Sequence, residues 1–191
     1  MPESIEVRGA TDVPDYPVPD ASLTIYETDQ LNIWSVQSTH LHSLEDYFLG
    51  TFNAEPQIGR MFFSDEWRLI QISPNRAFLI SEQSTPLQTT TNYKTMLTDV
   101  SHGYCELVLS GELSFDFVGL YVSADLNKAL IHGKDNLRCR FGQYSCLLYW
   151  DNSSQVRVLI ERSYARSFRN YLDHLMRRHD LTTSLKTNPS H

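Results

Sequence analysis

Short apolar segments with the composition of β-strands recur along most of the chain. They are rich in Val, Ile, Leu and aromatic residues, and Ser, Asn, Asp or Gly bounds them. This combination favours strands over helices. The predicted strands are Ser22–Glu27, Leu31–Val36, Trp67–Ile72, Ala77–Ser81, Met96–Val100, Cys105–Leu109, Leu137–Phe141, Cys146–Trp150 and Val156–Ile160.

Three other segments carry the helical period instead. In His40–Phe52 the apolar side chains recur along one stripe, and Thr39 is a suitable N-cap. A second helix is predicted over about Glu112–Val122. The third starts after Ser163 and runs to about Arg178, with apolar residues on one side and arginines elsewhere.

The predicted helix over 112–122 is apolar on nearly every side. One side carries Leu113, Phe117, Leu120 and Tyr121, and another carries Phe115, Val118 and Val122. A helix of this kind must be buried almost all round. Either the rest of the chain wraps it, or a partner covers part of it. In the second case Phe115, Val118 and Val122 are the partner-contact candidates.

The order of the elements indicates an α+β fold. Strands and helices do not alternate strictly, so a doubly wound parallel sheet is not expected. We predict two small subdomains of largely antiparallel sheet with helices on one face, over about residues 21–82 and 96–180. Residues 1–20, with four prolines, are expected to form an extended arm. Residues 181–191 are expected to be a flexible tail.

Charge and cysteine content narrow the function classes. The net charge of −7 argues against a general nucleic-acid binder. Residues 1–130 hold 18 acidic and 6 basic side chains, whereas residues 131–191 hold 5 acidic and 10 basic ones. This asymmetry fits either a partner-facing surface or internal charge pairing. The chain has three cysteines, and we see neither a secretory signal nor an apolar membrane span. This combination predicts reduced thiols in the cytoplasm.

Two clusters of polar residues could carry chemistry, and both have a structural interpretation. His40 and His42 would not share a face at a helix start, so no metal site is predicted. Asp99, Ser101 and His102 contain the groups of a hydrolase triad, but they are neighbours at a strand end. Asp and Ser in such places commonly hydrogen-bond the following turn.

The segment Arg138–Cys146 predicts a tight hairpin. Gly142-Gln143 suits a two-residue type II′ turn, which requires glycine first. Pairing outward from this turn places Cys139 opposite Cys146. A redox pair is one interpretation, and two reduced packing thiols are the default. The chain has no G-x-G-x-x-G, no G-x-x-x-x-G-K-[ST] and no C-x-x-C. We therefore assign it no cofactor-binding residue.

Several segments resemble a known superfamily. Residues 97–111, LTDVSHGYCELVLSG, resemble the D-[LV]-S-H…[IV]-x-[VL]-x-G stretch of the folate-binding aminomethyltransferases, which include the glycine-cleavage T-protein. There the order is strand, turn, strand and a glycine that opens a helix. Residues 72–80, 138–150 and 158–168 are similar to stretches of the sarcosine oxidase gamma subunit family.

This resemblance implies a T-protein folate-domain-like fold and a non-catalytic gamma-type subunit. It further implies alpha-, beta- and small delta-type partner subunits that hold FAD, FMN, NAD and tetrahydrofolate. Such a heterotetrameric complex demethylates sarcosine oxidatively, passing one carbon to tetrahydrofolate and electrons to oxygen. Members of that family usually have proline at the position of Glu112. A related N-methyl amine is therefore an alternative to sarcosine as the substrate of the complex.

Two further function classes are retained. One is a stand-alone folate-binding module, as in the iron–sulfur assembly factors of the superfamily. Their K-G-C-[FY]-x-G-Q-E motif is absent, because residues 141–143 lack the preceding Lys-Gly-Cys and the final Glu. The other is an independent hydrolase or redox enzyme, which the polar clusters above support weakly.

Overall fold

A computed structural model of the chain describes residues 4–7, 23–38, 44, 48, 57–63, 67–82, 95–131, 135–152, 155–178 and 182–184. Within these residues the chain forms twelve strands. They are β1 Ser4–Val7, β2 Leu23–Glu27, β3 Asn32–Ser38, β4 Met61–Phe63, β5 Arg68–Ser73, β6 Arg76–Ser81, β7 Thr95–Asp99, β8 Tyr104–Ser110, β9 Asn136–Phe141, β10 Tyr144–Asn152, β11 Gln155–Glu161 and β12 Thr182–Ser184.

The helical elements of the same residues are fewer. They are α1 Ser114–Tyr121, α2 Leu126–Ile131 and α3 Ala165–Arg178, with 3₁₀ turns at Ser101–Gly103 and Arg162–Tyr164. Of the helix predicted over His40–Phe52, Leu44 and Phe48 are described, and both are helical. The rest of that helix lies outside the described residues.

The strands build two sheets. The larger has the order β12-β1-β2-β8-β11-β10-β9, and β12, β1 and β2 run parallel while β2, β8, β11 and β10 pair antiparallel. The smaller has the order β4-β5-β6-β3-β7 and is antiparallel throughout. The mostly antiparallel α+β class expected from the sequence is confirmed.

The contacts divide the chain into two compact units. One unit comprises residues 1–29, 103–127 and 138–191, and the other comprises 30–102 and 128–137. These units interleave along the chain, whereas the sequence-based division into 21–82 and 96–180 is contiguous. The difference arises because β2, early in the chain, pairs with β8 of the second half.

Helices α1 and α3 lie on the same face of the larger sheet, where Phe141 of β9 contacts both. Its ring stacks on Tyr121 of α1, with centroids 6.2 Å apart, and meets Phe168 of α3 edge-on at 5.3 Å. The strands present Leu107, Val158 and Leu148 in register on one face, and all three are buried. Burying apolar area in this way is the main stabilising contribution to such a layer.

The second unit has its own apolar core. It contains Leu44 and Phe48 together with strand residues. The strand members are Val36, Trp67, Leu69, Ala77 and Leu79.

Some elements were not predicted from the sequence. Residues 4–7 of the expected arm form β1, which pairs in parallel with β2 near the edge of the larger sheet. Residues 182–184 of the expected tail form β12, which pairs in parallel with β1. The short strand β4 and the six-residue helix α2 were also missed. Elements this short carry too few residues to display a clear period.

Candidate functional site

The residues Asp99, Ser101 and His102 form a structural turn. The Ser101 backbone N–H and hydroxyl both donate to Asp99 Oδ1, at 2.9 Å and 2.6 Å. The Ser101 hydroxyl oxygen also accepts the Ile33 backbone N–H at 2.9 Å. These hydrogen bonds lower the pKa of Asp99, with a smaller contribution from His102. The predicted role in hydrogen-bonding the turn is confirmed, and Ser101 ties β3 to the end of β7.

The predicted hairpin between β9 and β10 is also confirmed. Gly142 has a φ of 57°, as the first turn position requires. The Sγ atoms of Cys139 and Cys146 lie 4.0 Å apart, as direct opposition predicts, and both cysteines are free thiols. The thiol hydrogen bond lowers the pKa of Cys139 and raises that of Cys146. Cys139 is half-buried and Cys146 is buried, so Cys139 is the more accessible thiol of the pair.

A buried polar network crosses the larger sheet. Glu106 of β8 is completely buried, and its Oε2 accepts a hydrogen bond from Arg157 Nη1 of β11 at 2.9 Å. The Thr28 hydroxyl donates to the same oxygen. The network thus joins three neighbouring chain segments through one carboxylate. Burying such a pair is tolerated because each charge has a close partner.

A second ion pair lies near the buried thiol of Cys105. Arg162 Nη1 donates to Glu27 Oε1 at 2.8 Å. Burial raises the pKa of Cys105, and the neighbouring Glu27 raises it further. A thiol held protonated in this way is a poor nucleophile. Cys105 therefore belongs to the core of the sheet.

The three partner-contact candidates on α1 have different environments. The Phe115 ring is half-buried and meets Trp150 edge-on at 5.6 Å. Val118 has no exposed surface in the chain by itself. Val122 is half-buried and forms a β-bridge with Phe141. The exposed apolar side chain of this helix is instead Leu120, of which 65% is accessible.

A cavity of about 660 Å³ opens beside α1 and the segment that follows it. Phe115, Phe117, Leu120 and Leu126 supply apolar lining, and Asp116 and Asp125 add carboxylates. A volume of this size is within the usual range of binding pockets, about 300–1,000 Å³. We take the cavity as the candidate functional site. Sequence reasoning missed it, although it identified the unusually apolar helix on which it is built.

Neither a metal-binding cluster nor a membrane-spanning helix occurs among the described residues. No group of three or more His, Cys, Asp or Glu side chains suited to a metal occurs among the described residues. His40 and His42 lie outside them. Among the residues the structure covers, no helix has both the length and the apolar character needed to cross a membrane.

Known structures share this fold, although no family model and no curated protein sequence matches the chain. The chain is similar to a chain of the heterotetrameric sarcosine oxidase from Corynebacterium sp. U-96, solved in complex with pyrrole 2-carboxylate. The TM-score is 0.70 at 15% identity, over 84% of this chain and 86% of that chain.

The chain is also similar to the glycine cleavage system aminomethyltransferase T from Bartonella henselae. Here the TM-score is 0.56 at 9% identity, and the match covers 85% of this chain and 48% of that chain. This chain therefore spans about half of the aminomethyltransferase but nearly all of the sarcosine oxidase chain. At these identities the likeness establishes the fold, and the T-protein-like architecture predicted from residues 97–111 is confirmed.

Proposed function

We propose that this chain is the non-catalytic, gamma-type subunit of a heterotetrameric sarcosine oxidase-like complex. The complex demethylates sarcosine, or a related N-methyl amine, and passes the one-carbon unit to tetrahydrofolate. The larger alpha- and beta-type subunits and a small delta-type subunit are its partners. They hold FAD, FMN, NAD and tetrahydrofolate, and the assembly works in the cytoplasm.

One observation carries this proposal. The similarity to the sarcosine oxidase chain covers 84% of this chain and 86% of that chain, and its TM-score is higher than that of the aminomethyltransferase. The match therefore includes most of both chains, as expected if they have equivalent folds. A self-contained aminomethyltransferase, by contrast, is about twice as long as the part this chain matches.

The surroundings of the candidate nucleophiles agree with a structural role for this chain. The Ser101 hydroxyl donates a hydrogen bond to Asp99 and accepts one from the Ile33 backbone N–H. Cys105 is buried beside Glu27 with a raised pKa. The carboxylate next to Ser101 is a weak base, because the pKa of Asp99 is lowered, and the thiol of Cys105 does not have the depressed pKa of an activated nucleophile.

The alternative of a stand-alone folate-binding module has support in the T-protein-like fold itself. The cavity beside α1 does not suit folate, however. Its lining includes Asp116 and Asp125, whose charges repel the glutamate carboxylates of folate. We therefore propose that a partner subunit holds the folate.

The purified chain alone tests the proposal. We expect it to show no FAD or FMN absorbance band and no oxidation of sarcosine. The intact assembly, isolated from the native host, is the positive control and should show both. Stoichiometric flavin on the isolated chain, or sarcosine oxidation by it, would contradict the proposal. Tight tetrahydrofolate binding by the chain alone would favour the folate-binding module.

A further inference from the structure

The outward face of α1 has an unusual composition. Asp116, Gly119 and Leu120 are spaced so that they share one face of the helix, and all three are exposed. The opposite side, with Phe117 and Val118, is buried. The outward face thus presents an acid, a residue without a side chain and a large apolar side chain in the space of two turns.

Among the described residues, no close neighbour explains why position 119 is a glycine. A Cβ atom added to it would meet nothing within 4 Å. Glycine inside a helix costs about 1 kcal/mol relative to alanine. The usual benefit of such a glycine is close approach of another backbone or ligand. Nothing described in the chain makes that approach, and the position lines the cavity.

The two charged side chains that line the cavity, Asp116 and Asp125, are both acidic. Residues 111–127 contain Glu112, Asp116 and Asp125 and no Lys or Arg. An occupant with a positive group beside its apolar part would therefore be favoured over an acidic one.

The distribution of polar groups favours a protein segment over a small molecule. Small-molecule sites orient their ligand with a few polar groups set among the apolar lining. Here Phe117 and Leu126 of the lining are buried and apolar, whereas Asp116, Asp125 and Asn127 are exposed at the rim. An apolar core with a polar rim is the anatomy of a protein interface.

We infer that the cavity beside α1 receives a segment of a partner protein. That segment inserts an apolar side chain over Gly119 and against Leu120, and a neighbouring Lys or Arg pairs with Asp116. This inference rests on the proposed function, since it identifies the docking surface through which an assembly subunit would bind. It places the partner surface on the exposed side of the helix, and one of the three predicted partner contacts, Phe115, lines the same cavity.

Substitutions at Gly119 and Leu120 test this inference. Gly119→Trp would introduce a large side chain at a position where a Cβ atom meets nothing within 4 Å, and Leu120→Asp would remove the apolar contact. Each variant, carrying a tag, is expressed in the native host in place of the wild-type chain, and the associated subunits are quantified. We expect association to weaken by about 30-fold or more, as for a central interface residue.

Matched controls are available on α3. Asn170→Trp and His174→Asp place the same side chains at exposed helical positions, and they should leave assembly unchanged. Circular dichroism and thermal melting of each purified variant would show that it is folded. In the wild-type assembly, carbodiimide cross-linking should join Asp116 to a lysine of another protein.

The outcomes separate the inference from the proposed function. If the wild-type chain assembles with flavin-bearing subunits and both variants do so equally well, the docking surface is wrong and the proposed function stands. If the variants abolish binding to a partner that carries no flavin, the docking surface stands and the proposed function fails. A wild-type chain without a protein partner overturns both. A small molecule or a second copy of the chain in the cavity overturns the inference.

Discussion

Gly142 meets two constraints at the tip of the β9–β10 hairpin. Its φ of 57° lies in the left-handed region that favours glycine. A Cβ atom would also approach the Tyr171 hydroxyl oxygen of α3 to 2.5 Å. The residue therefore sets both the turn and the distance between the hairpin and the helix. The sequence predicted the turn, but it did not predict the close approach of Tyr171 to Gly142.

Replacing Gly142 with alanine should lower the free energy of unfolding by about 1–3 kcal/mol, because strained backbone and displacement of Tyr171 add together. Gly103→Ala is the control, since a Cβ there meets nothing within 4 Å. Urea denaturation of the two variants measures the difference. Equal stability of both would show that the turn accepts a side chain.

Asp173 on α3 has a poorly solvated carboxylate. Its Oδ1 is buried and has no hydrogen-bond partner. Burial raises the pKa of Asp173, although Arg169 and Arg177 partly oppose the shift. A raised pKa means that the folded state binds the proton more tightly than the unfolded state. The group's contribution to stability is therefore greatest at low pH and is lost as pH rises through the folded pKa.

Asp173→Asn should consequently increase the free energy of unfolding at pH 7, because the amide carries no charge to desolvate. The gain should shrink as pH falls toward about 4, where the aspartate itself becomes protonated. Denaturation curves at several pH values measure this trend, with the exposed Asp116→Asn as control. A gain that grows on acidification would show that the arginines, rather than burial, dominate.

At the scale of elements, strands were more predictable than helix orientation. The nine strands inferred from apolar runs are all present, with shifts of one or two residues at their ends. The sequence did not show which side of α1 packs against the rest of the chain, because apolar residues occur on nearly every side of this helix. Its orientation follows from packing against Phe141 and Trp150, which come later in the chain.

The candidate cavity was beyond sequence reasoning for a related reason. It requires α1 and the beginning of α2 to lie side by side, and α2 itself was missed. The buried pair of Glu106 and Arg157 is a similar case. Each is a charged residue within an apolar strand, but only the antiparallel pairing of β8 with β11 brings them together. Pairings between distant segments are the information that a local pattern does not contain.

The Glu106–Arg157 pair gives a prediction about the larger sheet. Glu106→Gln should lower the free energy of unfolding by about 3 kcal/mol or more, because it leaves the Arg157 guanidinium buried without its counter-ion. Combining Glu106→Leu with Arg157→Met should recover much of that loss, since no charge then remains to be desolvated. Chemical denaturation of the single and double variants provides the comparison. A double variant less stable than Glu106→Gln would indicate a net stabilising ion pair.

For the whole molecule, the fold and the size of the matching chains lead to the same conclusion. The match covers 86% of a sarcosine oxidase chain and 48% of an aminomethyltransferase, and our proposal of an assembly subunit rests on this difference. The exposed Leu120 and the acidic rim beside it supply a surface through which such a subunit could associate.

Native mass spectrometry of the assembly, purified from its host through a tag on this chain, tests the central proposal most directly. We expect one copy of this 22.1 kDa chain together with three different subunits and bound flavin. Dissociation in the gas phase should release this chain without flavin attached. A 22.1 kDa species alone, or an assembly made only of copies of this chain without flavin, would contradict the proposal.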